Sequence, residues 1–288
     1  MERPLIIIVG STGVGKSVHA MAIAKERSGE VINADSQQVY RGCDIGTGKV
    51  PAALRQEIPH HCLDLVDPDQ SFDVAQYVAA ADAAIAEVSA RGKQPIICGG
   101  TGLYLTALVY GLAPLPPADR VLRAELAALM GHEGSGALHR RLAEVDPEAA
   151  AQINPRHTSR LIRALEVKRL TGRSITEWHS AHRFGTPRYR ADWTCLMRPR
   201  EELYERIDRR VETMLNAGWL EEVRTMLSRY GPVIAPLRAI GYRELVRHLK
   251  GERDLPATIA LIKQNTRRYA KRQLTWFRRM PDIQWIQA

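Results

Sequence analysis

The sequence predicts an α/β fold, a parallel sheet flanked by helices and interrupted by an all-helical insertion. Three observations predict it. Short, wholly apolar runs at 5–9 and 95–98 end in glycine and lead into stretches with helical periodicity. Such runs mark strands buried on both faces, and their alternation with helices builds a doubly wound sheet whose ligands bind at the strands' carboxyl ends. Gly10, Ser11, Thr12, Gly13, Val14, Gly15, Lys16 and Ser17 stand between the first such strand and the first such helix. Beyond Pro114-Leu115-Pro116-Pro117, roughly 75 residues rich in arginine show helical periodicity and no strand.

The elements follow in order. Leu5-Ile6-Ile7-Ile8-Val9 is the first strand, and a helix runs over about 16–27. Val31-Ile32-Asn33 is a second strand ending near Asp35, the alanine-rich stretch 74–90 is a helix, and Pro95-Ile96-Ile97-Cys98 is a third strand ending in Gly99-Gly100. Residues 118–190 form the helical insertion, and 1–117 with 191–288 form the core domain. Trp193-Thr194-Cys195-Leu196-Met197 returns to the sheet, and helices complete the chain from Glu201, the last over about 256–279.

Apolar residues make up 45% and charged residues 25% of the 288, the balance of an ordinary globular protein. The net charge of +9 is unevenly spread: residues 1–118 carry −3 and the rest carry +12. A basic second part suits a polyanionic partner, although a solvated basic surface would give the same count. Cys43, Cys62, Cys98 and Cys195 lie far apart, with neither the spacing of a thiolate metal site nor that of a disulfide framework. A reducing, cytoplasmic setting is expected. The apolar run of five near the N-terminus is too short for a signal-peptide core or a membrane span, so no membrane partner is expected.

The segment 10–17 fits GxxxxGK[ST] at every fixed position, in the strand-to-helix context that the motif requires. Its glycines let backbone amides turn inward onto phosphate oxygens, and the following helix adds the positive end of its dipole. Lys16 would neutralise the phosphates, and Ser17 would offer its hydroxyl to Mg²⁺. The sheet is therefore P-loop NTPase-like. The motif by itself says phosphate, and leaves open a small-molecule kinase, a transferase with diphosphate as leaving group, and an RNA-binding NTPase.

Asp35 follows the second strand, where it could orient a metal ion, serve as a general base, or simply fix a turn. Thr101 follows the third strand within Gly99-Gly100-Thr101-Gly102, placed either to meet a ligand or to cap a helix. No acidic residue stands at this third strand end, which weighs against ATP phosphotransfer. Segment 266–279 holds six basic residues and three aromatics with no acid, a combination suited to RNA, though at least one ring is expected in the core. Arg160 and Arg163 share one helix face. His60-His61 lacks a third metal ligand and is read as structural.

Together with the motif at 10–17, DSQQVYRGCDIGTGK at 35–49, GGTGLYL at 99–105, GLAPLPPAD at 111–119, RLIRALEVKRLTG at 160–172, GYRE at 241–244 and YAKRQLTWFR at 269–278 resemble the tRNA dimethylallyltransferase (isopentenyl-tRNA transferase) family along nearly the whole chain. The resemblance implies transfer of a dimethylallyl group from dimethylallyl diphosphate to the exocyclic amine of the adenine 3′ of the anticodon in tRNA, with Mg²⁺, by a monomer. It implies Asp35 as general base, with Thr101 and Arg123 acting on the transferring diphosphate or the target nucleotide. Segment 10–17 would hold the diphosphate. Residues implied to contact the anticodon stem-loop are Asp35, Ser36, Gln37 and Gln38; Ser159, Arg160, Leu161, Ile162 and Arg163; Arg238, Ala239, Ile240, Gly241, Tyr242 and Arg243; and Lys271, Arg272, Gln273, Leu274, Thr275, Trp276, Phe277 and Arg278. Ser11 stands where relatives often have Pro, Ser17 where they often have Thr, and His61 where they often have Arg. The free-nucleotide prenyltransferases share the P-loop and the Asp; the insertion and the basic final helix favour tRNA.

Overall fold

The structure, a computed structural model, describes residues 4–182, 186–280 and 282–288. It divides into two compact units, Met1–Val109 with Arg188–Ala288, and Tyr110–Pro187.

The first unit is a six-stranded sheet in the order β3-β2-β4-β1-β5-β6, parallel throughout. Its strands are β1 (Leu5–Gly10), β2 (Gly29–Ala34), β3 (His60–His61), β4 (Gln94–Gly99), β5 (Ala191–Met197) and β6 (Gln284–Gln287). Between them run α1 (Lys16–Arg27), α2 (Ala52–Glu57), α3 (Val74–Ala90) and α4 (Gly102–Tyr110). β1 and β4 are buried along almost their whole length, as apolar runs covered on both faces must be. Ile8, Val31, Ile96 and Cys98 pack with Ala20 and Ala24 of α1. Helix α3 begins at a capping box between Asp73 and Gln76 and buries Tyr77, Ala81, Ala84, Ile85 and Val88. Two edge strands escaped the sequence reading. β3 is only two residues long, in a stretch expected to be a loop, and β6 is an exposed edge.

The second unit contains α5 (Arg120–Glu133), α6 (Ser135–Val145), α7 (Pro147–Gln152), α8 (Thr158–Thr171) and α9 (Ile175–His182). Asp119 caps α5 by accepting from Leu122 N, and Asp146 caps α7 through Ala149 N. The core of this unit is Leu122, Leu126, Leu138, Leu142, Leu161 and Ala164. The chain re-enters the first unit at Arg188, whose backbone N–H donates to Val109 O at 2.6 Å and whose guanidinium reaches Leu108 O and Asp82.

After β5 come α10 (Arg200–Asn216), α11 (Trp219–Tyr230), α12 (Tyr242–Leu249) and α13 (Leu255–Phe277). Leu203 and Ile207 of α10 and Ala270 of α13 join the cluster on the α1 face, so both helices are pressed toward the mouth of the P-loop. Among the described residues, no helix is long and apolar enough to cross a membrane.

Candidate active site

Three loops meet at the carboxyl edge of the sheet: 10–15 after β1, 35–38 after β2 and 99–101 after β4. In the first, Arg198 Nε donates to Val14 O and Arg206 Nε to Gly13 O, both at 3.0 Å. A trans peptide whose carbonyl is held on one side turns its N–H to the other, so the Gly15 amide faces away from Arg198. Lys16 opens α1 and folds back, its Nζ donating to Ser11 O at 2.8 Å. Burial holds its ammonium below the ordinary lysine value; Cys98 and Asp35 oppose that shift, and Arg210 adds to it. The Ser11 hydroxyl is buried without a hydrogen-bond partner.

Gln273 ties two of the loops together. Its Oε1 accepts from Thr12 N at 2.8 Å and its Nε2 donates to Gly100 O at 2.9 Å. A β-carbon on Gly100 would lie 2.2 Å from that Nε2, and one on Gly102 would lie 2.3 Å from Trp276 Nε1. Gly100 and Gly102 therefore admit side chains of α13, and Gly99 admits the backbone of Ala34, rather than freeing the loop.

Asp35 accepts from Gln37 N at 2.9 Å through Oδ1, the turn bond that the sequence left as one alternative. Its carboxylate also faces a cavity. The Thr101 hydroxyl accepts from Ser36 N at 3.0 Å, and Thr101 N donates to Ala34 O at 3.1 Å. That hydroxyl thus joins β4 to the turn after β2 instead of capping α4.

These loops open into a cavity of about 860 Å³. Thr12, Gly13, Gly15, Lys16 and Ser17 line it, together with Asp35, Gln38, Tyr269, Gln273 and three arginines of α10: Arg206, Arg209 and Arg210. Val18, Met21, Val31, Val50, Leu54 and Leu63 give it an apolar side. Burial lowers the Arg210 guanidinium below its ordinary value, against the opposing pull of Asp35. The three arginines are residues that the sequence reading missed. Their i, i+3, i+4 spacing puts them on one helix face, which in a sequence cannot be told from a solvated one.

The remaining expected positions fall into separate groups. Arg268, Lys271, Arg272 and Thr275 line a shallow hollow of about 350 Å³ on the outer side of α13. Trp276 is 41% exposed, whereas Phe277 is fully buried. Arg238, ahead of α12, and Arg243, in its first turn, are exposed, with Ala239 and Ile240 half-buried. Arg278 is exposed and Leu274 half-buried.

In the second unit, Ser159 and Arg160 are exposed, and Ile162 and Arg163 are half-buried. Glu166, wholly buried, accepts from Arg123 through Nε at 2.7 Å and Nη2 at 2.8 Å, from Arg163 Nη1 at 2.5 Å and from Asp119 N at 2.8 Å. Four of the expected RNA contacts need correction at the level of the side chain. Leu161, Tyr242 and Phe277 are buried in the core and offer no side-chain surface to RNA, while Gln273, also buried, spends its amide on Thr12 N and Gly100 O. His61, at an Arg position of the resembled family, bonds Glu30 at 2.7 Å beside Arg91.

The model of the IPP transferase family matches residues 38–280, and that of the isopentenyl transferases matches 3–60. The chain belongs to the tRNA dimethylallyltransferase family. It is 47% identical to the tRNA dimethylallyltransferase of Geobacter sulfurreducens, over 99% of this chain and 92% of that one. Identity with the enzyme of that name from Symbiobacterium thermophilum is 46%, covering 99% and 90%. The crystal structure of the tRNA isopentenylpyrophosphate transferase from Bacillus halodurans superposes with a TM-score of 0.74 at 40% identity, over 99% of this chain and 90% of that one. A eukaryotic dimethylallyltransferase acting on tRNA superposes with a TM-score of 0.84 at 30% identity, covering 99% and 74%.

Proposed function

We propose that this chain transfers the dimethylallyl group of dimethylallyl diphosphate to the exocyclic amine of the adenine 3′ of the anticodon in tRNA, releasing diphosphate. The observation that carries this reading is that one cavity is lined by both a carboxylate, Asp35, and a cationic phosphate cradle of Lys16, Arg206, Arg209 and Arg210. A kinase would also set an acidic residue at the third strand end to hold its metal ion, and Gly99-Gly100-Thr101-Gly102 carries none.

The amine of adenine is a poor nucleophile because its lone pair is delocalised into the ring. Asp35 takes its proton as the new carbon–nitrogen bond forms, a role that contributes about 10²–10⁴-fold. The P-loop amides, Lys16 and the arginines bind the departing diphosphate and stabilise the charge that grows on it. Thr101, fixed by Ser36 N, keeps a hydroxyl proton for the diphosphate or the nucleotide. Ser17 and Asp35 offer oxygens beside the cradle, and no cluster of three or more His, Cys, Asp or Glu that could hold a metal exists among the described residues. That donor set fits Mg²⁺, which is held largely through substrate phosphates and its own waters. When bound, the ion neutralises phosphate charge.

The target base must leave its stack to react. We assign tRNA contacts to the basic face of α13 and, within the unit Tyr110–Pro187, to Arg160 and Arg163, and keep Arg123 as a residue acting on the diphosphate or the target nucleotide. The chain acts as a monomer in the cytoplasm, and its four free, buried cysteines suit that reducing setting.

The test is to incubate the protein with unmodified tRNA, dimethylallyl diphosphate and Mg²⁺, digest the RNA and weigh its nucleosides. Prenylated adenosine, lost in Lys16→Ala, is expected. Mass gain on free adenylate but not on tRNA would replace the substrate, and gain on neither would end the prenyltransferase reading.

A further inference from the structure

Segment 44–49 supplies Asp44, Ile45, Thr47, Gly48 and Lys49 to the cavity wall. Lys49 fixes its far end, donating through Nζ to Tyr40 O at 2.7 Å, Asp44 Oδ1 at 2.8 Å and Asp64 Oδ1 at 2.5 Å. Its near end is held by Glu222, in the first turn of α11. The Glu222 carboxylate accepts from three consecutive amides: Asp44 N at 2.8 Å and Ile45 N at 2.7 Å on Oε2, and Gly46 N at 3.0 Å on Oε1. Tyr242 adds its hydroxyl to Oε1 at 2.6 Å. Three successive N–H groups converging on one carboxylate form an anion nest. Here the anion is built into the chain. The indole of Trp219 lies against the same turn, so close that a β-carbon on Gly46 would stand 1.9 Å from Nε1.

The held segment touches two groups of the site. The carbonyl of Thr47 accepts from Gln38 Nε2 at 3.1 Å, three residues on from Asp35. The guanidinium of Arg210 lies over Gly48, where a β-carbon would come within 1.8 Å of Nη2. Arg210 is thus confined between α10 and this turn. Among charged groups of the site, Lys16 and Asp35 lie within its electrostatic reach.

We propose that Glu222 is a positioning residue for prenyl transfer: by gripping the amides of 44–46 it sets the turn that directs Arg210 toward the diphosphate and steadies Gln38 beside Asp35. The motif GYRE, which resemblance assigns to RNA contact, takes part through Tyr242 as the second holder of that carboxylate. This inference rests on the diphosphate reading of the cavity and deepens it.

The test is Glu222→Gln in the full chain, alone and combined with Arg210→Gln. Displacement of a bound group by about an ångström costs up to 10²-fold, so kcat/KM for dimethylallyl diphosphate should fall at least about tenfold. The tRNA Kd should hold within about twofold, and hydrogen exchange should accelerate at the amides of 44–46. In the Arg210→Gln background the further loss should be below about twofold, because groups acting through one another are not additive. Tyr242→Phe, which removes a single bond to Glu222, should raise the donor KM by a smaller factor and guards against a Glu222 variant that fails to fold. Equal losses in both backgrounds, or a lower Tm with unchanged kinetics, would overturn the proposal. If Arg210→Gln raises the donor KM and Glu222→Gln does not, only the Glu222 assignment fails. If Arg210→Gln leaves that KM unchanged, the assignment of Arg210 to the diphosphate fails and this proposal falls with it.

Discussion

Replacing Gln273 by Leu removes two hydrogen bonds and little volume. The 2.8 Å bond from Thr12 N and the 2.9 Å bond to Gly100 O both disappear, leaving a donor and an acceptor facing an apolar side chain. A buried polar group deprived of its partner costs about 1–3 kcal/mol. The Gly100 bond is buried and the Thr12 bond partly so, which places the sum at about 2–4 kcal/mol. For a chain of this size each kcal/mol moves the thermal midpoint by about 2–4 °C, so a drop of about 5–15 °C is expected in scanning fluorimetry. The functional effect should be separate. Thr12 N belongs to the phosphate loop, and its release should raise the KM for dimethylallyl diphosphate by about tenfold. Gln273→Glu makes the useful contrast, since it keeps an acceptor for Thr12 N but sets a negative charge beside the cradle. It should harm donor binding more than it harms stability. A Gln273→Leu protein with a midpoint within about 2 °C of the parent and an unchanged donor KM would refute the view that this residue ties the loops together.

Asp35→Asn keeps the Oδ1 acceptor for Gln37 N, so the turn should survive while the single-turnover transfer rate falls by about 10²–10⁴-fold at unchanged tRNA Kd; an unaltered rate would remove Asp35 as the base. Acid sensitivity follows from Glu30 and Glu166. Burial alone would raise both carboxyls, but hydrogen bonds from Arg91 and His61 to Glu30, and from Arg123 and Arg163 to Glu166, outweigh it and hold both below the ordinary 4.5. A carboxyl lowered on folding stabilises the fold above its unfolded value and loses that contribution as pH falls through its folded value. The thermal midpoint should therefore decline below about pH 4.5, and Glu166→Gln should flatten that decline in melts from pH 5 to 3.

The central strands and the helices on them were legible because burial on both faces leaves an unbroken apolar run, and because GxxxxGK[ST] fixes its own flanks. Helices α1 and α3 occupy 16–27 and 74–90, the stretches that periodicity indicates. β3 and β6 were not legible. Two half-buried histidines carry no pattern, and β6 pairs along only one side, with most of its residues exposed. At the site, Lys16 and Asp35 could be named because their chemistry is tied to a local motif or a strand end. Arg206, Arg209, Arg210 and Glu222 act across distances in sequence that no local pattern spans. Gln273 shows the converse error: it lies inside a basic segment, and the charge around it hid its inward-facing role, whereas burial of one ring, Phe277, was expected.

The joint between Val109 and Arg188 bears on how such a chain diversifies. The backbone leaves the first unit and returns at two points joined by a 2.6 Å backbone hydrogen bond and by the Arg188 guanidinium on Leu108 O, so the first unit closes on itself at a seam. The entropy of closing an excursion at a fixed seam grows only logarithmically, by about 0.6 kcal/mol for each doubling of its length. Whatever is grafted between 109 and 188 can lengthen, shrink or be exchanged at little energetic penalty to the reaction chamber. The inserted unit can therefore drift in length and sequence while the sheet keeps its register.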